Sequence, residues 1–257
     1  MIVVRSLVVA LLFSSCGTAV FSQLVNIESR RMQTDSIRFA GNANLTFNYQ
    51  KVNDVSLNVF KSSLSTQMKS KNLKHILLVL GNYDLASSNK STINNAGFGH
   101  IRYNYKYSKW LRWEVYTQLQ FNELLSLKYR YLAGTGPRIK LNRGEIIKTY
   151  LGVSAFYEYE QIQDIQQTVN EDIRMSNYFV ISLKLPKNKG EFTSTTYFQP
   201  LFRQFEDYRL TNQSLLQLNL TKHISFTTSV NYFFDFNPPA GVKQETFSIN
   251  NGLRLTI

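Results

Sequence analysis

The chain has 257 residues, a formal charge of +12 and a single cysteine. That length suits one large domain, and all-β barrels commonly reach it as a single unit. The charge balance admits nucleic acid, an anionic membrane surface or anionic solutes as partners. The chain shows no basic cluster or nucleic-acid-binding motif, so no nucleic-acid partner is expected.

The first residues read as a secretory signal. Arg5 supplies a positive start, Leu7 to Phe13 is continuously apolar, and Val20-Phe21-Ser22 offers small residues before Gln23. The segment is too short for a membrane helix. Cleavage before Gln23 removes Cys16 and leaves a mature chain with no thiol, disulfide or thiolate metal site. The rival is a lipoprotein cleaved before Cys16, but Phe13 stands where a lipobox usually has Leu. The domain division is therefore signal peptide 1–22, periplasmic lead-in 23–36 and strand domain 37–257. No later run of about 18 apolar residues exists, so a membrane role would have to come from strands.

Strand-like segments then follow one another. Asn42 to Gln50 alternates Ala43, Leu45, Phe47 and Tyr49 with polar residues. Val55, Leu57 and Val59 open a second strand. A third, about His75 to Leu85, is apolar on both faces and leaves its register open. The loop Ala86 to Thr92 leads to a fourth strand ending near Tyr107. Ser108-Lys109 turns it into a fifth, where Leu111, Trp113, Val115, Leu119 and Phe121 alternate with Arg112, Glu114, Gln118, Gln120 and Asn122. The sixth spans Leu127 to Leu141 and the seventh about Lys148 to Glu160, with the turn Asn142 to Glu145 between them. The polar break Gln161 to Arg174 reads as a long loop. Five further strands follow, divided by Pro186 to Gly190, Thr221 to His223 and Asn237 to Gly241. A period of two sustained this long means paired antiparallel strands.

The expected fold is all-β: a closed antiparallel transmembrane β-barrel of about 12 strands in meander order. With both ends of the chain in the periplasm, short links fall on the periplasmic side and longer ones outside, the pattern of outer-membrane barrels. The polar face carries Arg102, Lys106, Arg112, Lys128, Arg130, Arg138, Lys140 and Lys148, with Glu114, Glu158 and Glu160. An unpaired charge in a low-dielectric core costs several kcal/mol, so this face is solvated or internally paired. These eight basic residues are the candidate lumen-facing set. They either favour anions or pair with acids. Tyr105, Tyr107, Trp110, Tyr157 and Tyr159 sit near strand ends, where aromatic girdles occur. The closing residues Asn250 to Ile257 resemble the C-terminal insertion signal of outer-membrane barrels, through Asn250, Gly252, Leu255 and Ile257.

Three pieces carry a wider resemblance: VNIESRRMQTDS leading into GNANLTF, HIRYNYKYSKWLRWEVYTQLQFNE, and LKYRYLAGTGPRIKL followed by LGVSAFYEYE. Together they resemble a family of outer-membrane proteins of unknown function, sometimes named salt-induced outer-membrane proteins. The resemblance implies a signal peptide, a β-barrel and an outer-membrane address, and brings no reaction and no functional residue.

No catalytic, cofactor or metal site is expected. His75, His100 and His223 lack paired ligand spacing. A lipid hydrolase would need His100 with Ser91 or Ser154, and nothing positions a third group. Glu158 and Glu160 read as partners of Arg or Lys. Gly97, Gly99, Gly134 and Gly136 read as relief of crowding and as barrel curvature. The expected function is an integral outer-membrane barrel with a structural or envelope-stress role, or a narrow pore for small solutes. Its partners are outer-membrane lipid and the insertion machinery. The alternatives are a soluble exported barrel binding an apolar ligand, and a barrel lipid hydrolase.

Overall fold

The computed structural model describes residues 38–255, apart from 90, 143, 145 and 222. The expected signal peptide and lead-in lie outside the described residues, as does Ile257. Twelve strands form one sheet: β1 (Phe39–Val52), β2 (Val55–Lys69), β3 (His75–Ser88), β4 (Ser91–Lys106), β5 (Leu111–Asn122), β6 (Leu127–Lys140), β7 (Ile147–Ile162), β8 (Val169–Lys184), β9 (Gly190–Leu201), β10 (Gln204–Asn219), β11 (Ile224–Asp235) and β12 (Glu245–Leu255). Each strand pairs with the next in an unbroken antiparallel meander. Among the described residues β1 and β12 pair with no third strand and form the two edges. No described helix is long and apolar enough to cross a membrane.

The two faces are inverted relative to a water-soluble sheet. On β5, Trp113, Val115 and Leu119 are 48, 48 and 55% exposed, while Glu114, Gln118 and Gln120 between them are 3–5% exposed. Leu45, Phe47, Ile101, Tyr131, Val153, Phe179 and Phe247 share the exposed face of their strands. A contiguous apolar surface of this extent marks a membrane or protein contact.

The sheet curls toward its polar face. Neighbouring strands lie about 4.8 Å apart, so β5 and β8 would be roughly 14 Å apart on a flat sheet. Yet Tyr178 Oη on β8 donates to Glu114 Oε2 on β5 at 2.8 Å. Likewise Arg209 Nη1 on β10 donates to Glu158 Oε1 on β7 at 2.6 Å. Three small apolar clusters fill part of the concavity: Leu78–Leu80–Phe98, Tyr116–Leu132–Phe156, and Tyr178–Val180–Tyr197 with Tyr150 packed against it. Burying a side chain of this size contributes about 1.5–3 kcal/mol.

The structure settles the ambiguous β3. Ile76, Leu78 and Leu80 point inward and are buried, and Leu77 and Val79 take the other face. Two connections read as loops are mostly strand. The Gln161–Arg174 break contributes to β7 and β8, and only 163–168 connects them. Asp164 closes that connection by accepting from Thr168 N at 2.8 Å and Thr168 Oγ at 2.5 Å. The Thr168 hydroxyl bond is the main reason its carboxyl titrates below the ordinary range. Similarly most of 86–92 belongs to β3 and β4. Residues 86–92 are polar on both faces, and in 161–174 Glu171 separates Val169 from Ile173 on the convex face, which weakens the period-two signal while the backbone ladder continues.

The expected alternation of short and long links does not hold. The end where the chain enters β1 and leaves β12, here the terminal end, has connections 70–74, 107–110, 141–146, 185–189 and 220–223. The far end has 53–54, 89–90, 123–126, 163–168, 202–203 and 236–244. Only the last of these is long.

Gly152 shows how the curl is accommodated. A Cβ there would sit 2.1 Å from the Tyr178 ring, the ring whose hydroxyl reaches Glu114. Gly152→Ala is therefore expected to lower stability by about 1–3 kcal/mol through overpacking, read as a shifted urea midpoint in detergent micelles. Gly99, where a Cβ meets nothing within 4 Å, is the control: Gly99→Ala should leave the midpoint unchanged or raise it slightly.

Candidate functional site

The alternation that exposes Trp113 and Val115 turns the charged side chains of β4 to β10 into the concavity. They form two groups. Near the far end, three arginines meet four carboxylates. Glu158 binds Arg130 Nε at 3.2 Å, Arg174 Nε at 2.9 Å and Arg209 Nη1 at 2.6 Å. Glu160 accepts from Arg130 Nε at 2.7 Å and from Arg209 Nη2 at 3.2 Å. Arg174 Nη2 reaches Asp207 at 2.9 Å and Arg209 Nε reaches Asp235 at 2.9 Å. All seven residues are buried. Closer to the terminal end, Arg102 Nη1 donates to Glu114 Oε2 at 2.9 Å, and Arg138 Nη1 donates to Tyr178 Oη at 3.1 Å. Arg138 also lies 4.1 Å over the Tyr150 ring, and Arg102 lies 4.9 Å over Tyr116. Guanidinium on an aromatic face adds roughly 0.5–2 kcal/mol per contact.

The eight basic residues expected on this face divide into three sets. Arg102, Arg130 and Arg138 are buried and engaged as just described. Lys106, Arg112, Lys140 and Lys148 are half-buried at the terminal end, and Lys106, Arg112 and Arg138 stand opposite one another across β4, β5 and β6. Like charges directly opposite repel, so this row gives the terminal end a local positive field. Lys128 departs from the alternation. A bulge between Leu127 and Tyr129 makes it the extra residue of β6, and its ammonium lies 5.9 Å over the exposed Tyr129 ring.

Arg174, Arg209, Asp207 and Asp235 belong to the charged cluster without having been singled out from the sequence. Arg174 fell in the segment read as a loop. Arg209 and Asp207 do follow the inward parity of Thr211 and Gln213, which was the signal available.

Of the groups a hydrolase would need, Ser91 is far from His100, whereas Ser154 and His100 both contact Tyr116. Ser91 pairs with Ser88 at the far end of β4, about 30 Å along the strand from His100. Ser154 Oγ donates to the Ser176 carbonyl at 3.1 Å and shares a hydrogen bond with Tyr116 Oη. His100 lies between the Phe98 and Tyr116 rings, with Gln118 on Nδ1 and Arg102 donating to Nε2, both at 3.3 Å. His75 Nδ1 meets Tyr103 Oη at 2.6 Å, and His223 lies in the turn before β11.

The remaining part of the inner face differs in character. On β11, β12, β1 and β2 it carries mostly small neutral polar groups, with Phe233 and Asp235 at the far end of β11 and Leu57 and Val59 toward the far end of β2. Asn42 stands opposite Ser65, Asn44 opposite Ser63, Ser229 opposite Asn250 and Asn231 opposite Ser248. Asn44 Nδ2 donates to Ser63 Oγ at 3.2 Å, and Asn231 Nδ2 to Ser248 Oγ at 3.1 Å. Lys61, opposite Asp84, interrupts this lining toward the far end.

An antiparallel meander with an apolar convex face and a polar concave one defines the class of protein: all-β, with its charge turned inward. The chain belongs to the family described as "Protein of unknown function, DUF481", which matches residues 43–254. Among solved structures it is similar to one titled "NanC porin structure in rhombohedral crystal form", with a TM-score of 0.49 and 11% identity over 85% of this chain and 99% of that one. No curated protein matches the chain.

Proposed function

We propose that this protein is an integral outer-membrane β-barrel, closed by pairing β1 with β12, with a narrow water-filled passage for small polar solutes. The inversion of the faces carries this reading: Trp113, Val115 and Leu119 are exposed while Glu114, Arg102 and Arg209 are buried. A soluble barrel with an apolar ligand site would place the apolar face inside. Lipid offers no partner to an unpaired N–H or C=O, each of which costs several kcal/mol there. The edges β1 and β12 run in opposite directions and turn apolar side chains to the same side, so they are matched for antiparallel closure. The resemblance to salt-induced outer-membrane proteins and the secretory start agree with this address. Insertion through the C-terminal strand follows from it.

The passage would run beside β11, β12, β1 and β2. Eight strands enclose just enough room for side chains to fill, and twelve enclose more. Most of the charged and aromatic groups lie on the β3 to β10 side, which leaves a largely Ser/Thr/Asn lining for water. Because Arg102, Arg130, Arg174 and Arg209 are paired with carboxylates, they are not an anion filter. Heat-modifiable migration on a detergent gel tests the barrel; identical migration with and without heating would refute it. Planar-bilayer recording tests the passage. A small, weakly selective conductance is expected. Strong anion selectivity that persists at high salt would contradict the neutral lining, and no conductance at all would leave a structural envelope protein.

A further inference from the structure

The charges are sorted by end. Among the described residues, the terminal half of the sheet holds only two carboxylates, Glu114 and Glu191. Glu114 is taken by Arg102 and Tyr178, and Glu191 accepts from Ser182. The connections at that end carry Lys71, Lys74, Lys109, Lys187 and Lys189, all exposed and none in an ion pair among the described residues. The far end carries Asp54, Glu123, Asp164, Glu171, Glu206 and Glu245, which offset Lys51, Lys128, Arg203 and Lys243 there.

The height of the lysines identifies what they face. Trp110 follows Lys109 directly and is 56% exposed, and Tyr107 and Trp113 flank the same turn on the convex face. Lys74 lies beside this turn, its carbonyl accepting from Lys106 N at 2.7 Å. Exposed Trp and Tyr at the border of an apolar band sit at headgroup level. A lysine there extends its apolar stem along the band and its ammonium into the headgroups.

Resting on the reading that the convex face lies in lipid, we propose that the terminal-end connections form a cationic collar that selects anionic phospholipid headgroups from the adjoining leaflet. Each lysine near an anionic surface contributes on the order of 1 kcal/mol, and the attraction falls off within a Debye length. The collar covers the β2–β3, β4–β5 and β8–β9 connections, so it contacts several lipids in the ring around the protein. At the far end acids offset the bases and leave no such cationic excess, so the preference belongs to one leaflet.

The two tryptophans of the chain, Trp110 and Trp113, both lie at the collar and report on it directly. The full-length protein is reconstituted into vesicles mixing phosphatidylcholine with phosphatidylglycerol, with one lipid brominated at a time. Bromines quench tryptophans they touch. At low salt, brominated phosphatidylglycerol is expected to compete for the ring positions on the order of threefold better than brominated phosphatidylcholine. In high salt the ratio should fall to near one, as should that of a Lys71→Gln, Lys74→Gln, Lys109→Gln variant. Lys243→Gln at the far end should leave the ratio at its parent value. The salt titration uses the parent protein and so stands even if the triple variant folds poorly. Equal quenching by both lipids at low salt, or a preference that survives high salt, would overturn the collar while leaving the membrane barrel intact. No quenching by either lipid would overturn both.

Discussion

Replacing Arg209 with Met is expected to destabilise the protein by about 3–5 kcal/mol, the range for breaking a buried ion pair by removing one partner. The choice follows from the composition of the cluster. Arg130, Arg174 and Arg209 are set against Glu158, Glu160, Asp207 and Asp235, so the cluster already carries one excess negative charge. Losing Glu158 would neutralise that excess. Losing Arg209 doubles the imbalance and takes a partner from Glu158, Glu160 and Asp235 at once. The comparison is Arg203, whose side chain is 75% exposed beside Asp172. Although the Asp172 side chain is only 11% exposed, the solvated Arg203 brings the pair to about the 0–1 kcal/mol of a surface ion pair, so Arg203→Met should move the urea midpoint much less than Arg209→Met. Adding Asp235→Asn to Arg209→Met should restore part of the loss, because one stranded carboxylate is removed. An Arg209→Met protein as stable as the parent would show that the network orders the interior without holding the fold.

The parity of β4 to β7 was legible because both faces announce themselves there. Arg102, Glu114 and Glu158 mark one side, and Ile101, Trp113 and Val153 the other. Where the interior needs apolar packing, the pattern fails. Leu78 and Leu80 point inward to meet Phe98, so β3 is apolar on both faces and no local rule separates them. Tyr116 and Phe156 sit on the polar face for the same reason and were not recognised as interior anchors. The opposite failure occurs at 161–174, where polar residues predominate, Val169 and Ile173 are separated by Glu171, and a strand pair reads as a loop. Partner choice lies a further step beyond pattern. Glu158 was expected to pair with a basic residue, but Arg209 stands 51 positions away and comes within reach only because the sheet curls across β7 to β10.

In the proposed barrel the two parts of the inner surface divide the work. Strands β3 to β10 use ion pairs and aromatic clusters to fix the curl, since bonds such as Tyr178–Glu114, Arg209–Glu158 and Arg174–Asp207 reach across two or three strand intervals. Strands β11, β12, β1 and β2 use neutral groups small enough to leave space. Charge at the passage would bind solutes tightly and slow their exit, whereas hydroxyls and amides exchange hydrogen bonds with water at little net cost.

Val153→Arg gives opposite results in water and in lipid. Val153 lies on the convex face, midway along β7, and is 37% exposed. On a water-soluble sheet an arginine at such a position changes stability by about 0.5 kcal/mol or less. At the midplane of a bilayer it costs about 2–4 kcal/mol, because the guanidinium must reach the interface or draw water inward. Refolding from urea into lipid vesicles should therefore show the larger loss, with a smaller heat-modifiable fraction. Ile165→Arg, in the 163–168 connection and fully exposed, should show none. The contrast depends on depth alone, since both residues are exposed aliphatics gaining the same charge. A Val153→Arg protein that refolds as well as Ile165→Arg would place the convex face against water, and with it would fall the closure of β1 onto β12.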